Sequence, residues 1–291
     1  MKNQTFGIEI ETSGITRQRA AELIAEYFGT EASYEGGTYD KYTAEDSQGR
    51  KWSCVFDSSI VAPNRNLKCE VVSPILTYED MSDLQEIVRI LRRNGAKSSP
   101  DKQCGIHIHI GVGEHTIKTL KNLVNYMSSY QDLIYRALEI SPYREKWCRK
   151  LEPVLIDNFN QKGLDTFAKG ESAWYGKGNE NDKYRHYSQT RYHGLNLHSV
   201  FSKGTVEFRL FNGTLHAGEI RSYICFCLAM SNFALEKKSI RRSRKNQFND
   251  KYSMYEMLCR IGIKGEEFKV VRDHLTKHLT GSLTHEGRYI M

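Results

Sequence analysis

The stretch Cys104-Gly105-Ile106-His107-Ile108-His109-Ile110-Gly111 alternates between apolar and ionisable residues through its centre. Strict alternation is a strand signal, because side chains two apart on a strand share a face. His107 and His109 are thereby set on one side of a sheet. Ile106, Ile108 and Ile110 fall on the other, which packs on helices. Two further segments repeat the design. Phe6-Gly7-Ile8-Glu9-Ile10-Glu11 sets two carboxylates against two isoleucines, and Thr205-Val206-Glu207-Phe208-Arg209-Leu210-Phe211 sets Glu207 and Arg209 against Val206, Phe208 and Leu210. A strand over Leu67 to Val72 carries Glu70 as its single carboxylate.

One Glu-x-Glu or His-x-His on its own is ordinarily a solvent face. Three strands with paired ionisable groups, plus Glu70, predict instead a single charged sheet face. Carboxylates and imidazoles gathered in one place are costly unless a cation binds them. That face has the outline of a metal or phosphate site.

Helical spacing fills the intervals. Thr16 starts a helix carrying Ala20, Leu23, Ile24, Tyr27 and Phe28, and Gly29 stops it. Residues 30 to 50 read as a hairpin or loop, and Lys51 to Phe56 as a strand ending at Asp57-Ser58-Ser59. Thr77 and Asp80 cap a helix closed by Gly95, and a long amphipathic helix spans Thr116 to Glu139. From Tyr143 to Gln189 the pattern predicts a long surface loop, with Trp174 to Tyr187 as a lid over bound ligand. Arg191 to His198 and Gly204 to Phe211 are expected as two strands of a hairpin, followed by an apolar helix over Ala217 to Leu235. From about Lys251 one or two amphipathic helices carry His274, His278 and His285. The expected organisation is a catalytic domain over residues 1–236, then a basic connector and helical extension over 237–291 packed on the same domain.

With 291 residues and 39% hydrophobic content the chain buries a sizeable core. The start has no apolar signal region and no apolar run reaches membrane-spanning length, which predicts a cytoplasmic protein without a membrane partner. Seven cysteines lacking metal-ligand spacing read as reduced, buried thiols. The net charge of +7 is concentrated in Lys237 to Lys245, a solvated connector more than a nucleic-acid surface. No phosphate loop, dinucleotide fingerprint, H-E-x-x-H or G-x-S-x-G motif occurs.

Two other classes fit parts of the pattern. A zinc hydrolase would use His107, His109 and a carboxylate, leaving Glu9, Glu11 and Arg209 without roles. A noncatalytic nucleotide- or nucleic-acid-binding protein would use the basic run and the aromatic loop.

Taken together, Gly7-Ile8-Glu9-Ile10-Glu11, Asp57-Ser58-Ser59-Ile60, Glu70-Val71-Val72-Ser73-Pro74, Cys104 to His109, Asn196 and Val206 to Thr214 resemble the signature series of the amidoligase family. That family is grouped with the carboxylate–amine ligases, which include glutamine synthetase and glutamate–cysteine ligase. The resemblance covers roughly residues 5 to 230; Ser58 departs from the commoner Asp-Gly-Ser and leaves Asp57 in place. It implies an α+β fold whose curved, mainly antiparallel sheet, a glutamine synthetase-like half-barrel, carries helices on its convex face. It also implies ATP and Mg²⁺, or Mn²⁺ in its place, as cofactors, and an acyl phosphate formed from a substrate carboxylate and opened by an amine. The partners would be a small-molecule or peptide carboxylate and an amine. By the same resemblance Glu9, Glu11, Glu70, His107 and Glu207 would be metal ligands. His109 and Arg209 would meet the transferred phosphate, with Glu207 beside them. Arg191, Asn196, Arg221 and Asp57 would contact nucleotide or substrate.

Overall fold

The computed structural model describes residues 1–176, 178–185, 187–243, 250–285 and 288–289. Its frame is an α+β arrangement built on one open sheet. The strands are β1 (Phe6–Ser13), β2 (Ala32–Gly36), β3 (Lys41–Glu45), β4 (Lys51–Val55), β5 (Lys68–Val72), β6 (Gly105–Gly111), β7 (Leu195–Asn196) and β8 (Thr205–Asn212). They lie in the order β2-β3-β4-β5-β1-β6-β8-β7, every pair antiparallel. The sheet is not closed into a barrel. Residues 30 to 50 form the β2–β3 hairpin at its edge.

Register follows from the alternation. Ile8, Ile10, Ile106, Ile108, Ile110, Val206, Phe208 and Leu210 are all buried in one apolar core with the helices. Helix α1 (Arg17–Phe28) packs on β3 and β4, capped by the Thr16 hydroxyl and ended by Gly29 at φ 70°. Gly29 takes the left-handed conformation that a side chain disfavours. Helix α2 (Met81–Arg93) starts at a capping box in which Asp80 accepts from the Thr77 N–H at 2.7 Å. Helices α3 (Ile117–Ala137) and α8 (Ala217–Glu236) complete the layer, and α8 packs directly on β6.

Three expectations are corrected. The expected loop segment is not a surface loop over residues 143–175: it folds there as α4 (Pro142–Glu145), α5 (Pro153–Phe159) and α6 (Phe167–Tyr175), joined by irregular turns. Trp174, expected on a lid, is 2% exposed and packs edge-on against Phe159 and His193. Helices of four to nine residues span too few turns to display a 3.6-residue period. Replacing Trp174 with Ala is expected to cost about 3–5 kcal/mol of stability; a denaturant midpoint like that of the parent chain would return this residue to the surface.

Second, the expected hairpin over Arg191 to Phe211 shrinks to the two-residue β7, and helix α7 (His198–Lys203) makes the return to β8. Asn196 is the cause. Its Oδ1 accepts from the His198 N–H at 2.8 Å, which turns the chain into the helix. Third, α9 (Asp250–Arg260) and α10 (Lys269–Thr276) form the expected C-terminal helices, but His285 falls in the short strand β9 (Thr284–His285), paired with β10 (Arg288–Tyr289). Helix α10 packs on α8, with Lys277 paired to Glu219. Part of the basic run, Arg244 and Lys245, lies outside the described residues, as do Lys177 and His186 of the expected lid. All seven cysteines are free and six are buried. Among the described residues no helix is long and apolar enough to cross a membrane.

Candidate active site

The ionisable faces of five neighbouring strands converge as the alternation requires. On β1 and β6, Glu9 stands opposite His107; on β1 and β5, Glu11 stands opposite Glu70; on β6 and β8, His109 stands opposite Glu207. The end of β4 adds Asp57, whose Oδ1 accepts from the N–H and hydroxyl of Ser59, each at 2.6 Å. Glu9, Glu11, Glu70, His107 and Asp57, together with Arg65, Arg144, Arg191, Arg209, Lys203 and several aromatic rings, line a cavity of about 610 Å³; His109 and Glu207 are buried and do not line it.

Contacts inside the cluster are tight. His107 Nδ1 lies 2.9 Å from Glu9 Oε2, and His109 Nε2 lies 3.2 Å from Glu9 Oε1 and 3.9 Å from Glu207 Oε1. Glu207 accepts from Arg209 at 2.5 Å, from Asn196 Nδ2 at 2.7 Å and from the Ser199 hydroxyl at 2.6 Å. Asn196 thus orients a carboxylate and does not line the cavity. Arg191 and Asp57 do line it. Arg221 does not: it lies on α8 beside Tyr78 and Cys225, where the helix faces away from the charged cluster.

Burial and mutual repulsion set the charge states. Glu70 is pushed well above the carboxylate range by burial and by the neighbouring charges of Glu9, Glu11 and Asp57. Glu11 is pushed by burial to about 7, against the pull of Arg144. Burial also raises Glu9 and Glu207, but His109 and His107 outweigh it at Glu9, and Arg209 and His109 outweigh it at Glu207, so both stay below the usual range. His107 is lowered to about 4 by burial and Arg209. His109 is opposed by burial yet raised by Glu207 and Glu9.

Such a set fits a divalent cation. Ligand atoms of Glu9, His109 and Glu207 lie within 4.8 Å of one another, as do those of Glu9, Glu70 and His107 and those of Glu11, Asp57 and Glu70. His109 Nδ1 contacts the Thr205 hydroxyl at 3.0 Å, leaving Nε2 buried between two carboxylates without a hydrogen-bond partner. An imidazole so placed wants a proton or a metal. Hard carboxylate oxygens in this excess suit Mg²⁺ or Mn²⁺. Among the described residues no such group contains both His107 and His109.

Arg144 is the functional candidate that alternation alone misses. It comes from the four-residue α4 and is 2% exposed. Its guanidinium lies directly over Gly105, where a Cβ would come within 2.0 Å of its Cζ. A glycine inside a strand marks such a close approach, and Gly105 was the available sign.

Residues 2–231 match the profile of the family described as "Putative amidoligase enzyme". The chain belongs to this amidoligase family. No curated protein sequence matches it.

Proposed function

We propose that the chain is an ATP-dependent carboxylate–amine ligase that makes an amide bond through an acyl phosphate, acting on an amino acid, peptide or related small molecule. Family membership supports the ligase class. The observation that carries the rest is the surplus of carboxylate on the sheet face, where the buried Glu11 and Glu207 and the partly buried Glu9, Glu70 and Asp57 converge beside Arg209 and Arg144. Glu9, Glu11, Glu70, His107 and Glu207 would hold the cation, and the geometry adds Asp57 and His109 to that set. A divalent cation held by these residues would supply the positive charge that neutralises a phosphate group.

The chain's own residues then divide the work. Arg209 is buried, anchored by Glu207 and placed at the cavity wall, where a fixed guanidinium stabilises charge on a transferred phosphoryl group. His107, neutral by its lowered pKa, keeps a lone pair for a cation. Asn196 and Ser199 hold Glu207 in place through its second oxygen.

Mg·ATP is expected to stabilise the fold, since a ligand that binds only the native state raises stability by about 2.7 kcal/mol at 100 times its dissociation constant. For a chain of this size that is a rise of several degrees. Differential scanning fluorimetry with millimolar Mg·ATP checks it, with EDTA removing the shift. An unmoved transition would remove the nucleotide from this reading.

A further inference from the structure

Arg144 carries more hydrogen-bonding capacity than the protein uses. A guanidinium has five N–H donors and cannot shed its charge. One well-formed bond is present, from Nη2 to the Arg209 carbonyl at 3.2 Å; His107 Nε2 stands at the limit, 3.5 Å away. The Nε is buried and has no partner. Nor is Arg144 simply the counter-charge of Glu11. The two form an ion pair, Nη1 to Oε2 at 3.6 Å, but that is too long for a hydrogen bond, and the same oxygen accepts the Gly105 N–H at 2.6 Å, so the pair leaves the guanidinium donors unused. A fully buried cation with idle donors, lining a cavity, is arranged for a ligand that arrives with acceptors.

We propose that Arg144 binds an oxyanion of the bound substrate, either a carboxylate or a phosphate group, through its unpaired donors. The inference deepens the ligase reading and rests on it for the identity of the oxyanion alone. Gly105 is part of the device. Because any Cβ at 105 would occupy the place of the guanidinium, the glycine within the His-x-His strand fixes where the positive charge stands. Planar, bidentate donation then selects the trigonal edge of a carboxylate or two oxygens of a phosphate.

The test uses the full chain with Mg²⁺ present throughout, and two probes: inorganic phosphate followed by calorimetry, and acetate followed by ligand-observed NMR. Arg144→Gln is expected to weaken one probe roughly 10- to 100-fold, the range for a charged hydrogen bond, while Mg²⁺ affinity stays within a few-fold. Whichever probe is lost names the source of the oxyanion. Gly105→Ala keeps every charge but displaces the guanidinium, so it should show the same selective loss even where Arg144→Gln folds poorly. Binding of both probes at parental strength in either folded variant, or no binding of either probe by the parent chain, overturns the proposal. A parent chain that binds phosphate or acetate through Arg144 but not Mg·AMP-PNP sinks the ATP-ligase reading and leaves the oxyanion site standing.

Discussion

Glu70→Gln is expected to leave the cation-free protein at least as stable as the parent while reducing Mg²⁺ affinity at least tenfold. The first half follows from the raised pKa. Burial, with Glu9, Glu11 and Asp57 nearby, keeps the Glu70 carboxyl protonated without a cation, and glutamine is the neutral isostere of that form. The two should differ by no more than about 0.5 kcal/mol below the ordinary carboxylate value of 4.5, where Glu70 is protonated folded and unfolded alike, and the variant should gain on the parent as pH rises. The second half follows because an amide cannot supply the anionic oxygen, and even outer-shell losses cost about 10- to 100-fold in metal affinity.

The sign of the pH dependence adds a control. A carboxyl whose pKa is raised on folding contributes stability below its unfolded value and loses it as pH rises through its folded value. For Glu11 that window runs from the ordinary 4.5 to about 7, on the order of 3 kcal/mol. Cation-free protein should therefore weaken across this range, and Glu70→Gln should weaken less. Urea midpoints taken along the pH series with EDTA decide the matter. A variant several kcal/mol less stable than the parent without cation would mean that Glu70 is ionised and paired.

Arg209→Lys should lose turnover by about 10²-fold or more with little change in melting temperature, because an ammonium keeps the charge beside Glu207 but not the planar fork. Arg209→Ala, by contrast, strands the buried Glu207 and should cost about 3–5 kcal/mol. ADP release, measured on whichever acid and amine prove to be substrates, gives the first quantity and calorimetry the second. Near-normal turnover in a stable Arg209→Lys protein would leave the arginine a purely structural counter-charge.

Alternation made the charged face legible, because a two-residue period carries both the strand and its facing residues. Glu9, Glu11, His107, His109, Glu207 and Arg209 could be placed together from that pattern alone. Periodicity gave no access to Arg144, a single side chain delivered from a four-residue helix. The family resemblance, not the period, suggested Arg221, and the fold turns that residue toward Tyr78 and Cys225. The segment 143–189 looked loop-like because its helices are short and its buried aromatics, Phe159 and Trp174, are widely spaced.

The central strand β1 pairs with β5 and β6 through residues about 60 to 100 positions away, and β8 joins a further hundred positions on. No fragment shorter than residues 9–207 contains Glu9, Glu70 and Glu207 together. Pairings this distant close late in folding, since each demands a large loop. A ligand held between these strands therefore meets the finished sheet and gains little hold on the transition state. It should act as a brake on unfolding rather than a template for folding, lengthening the lifetime of the native protein while leaving its refolding rate nearly unchanged.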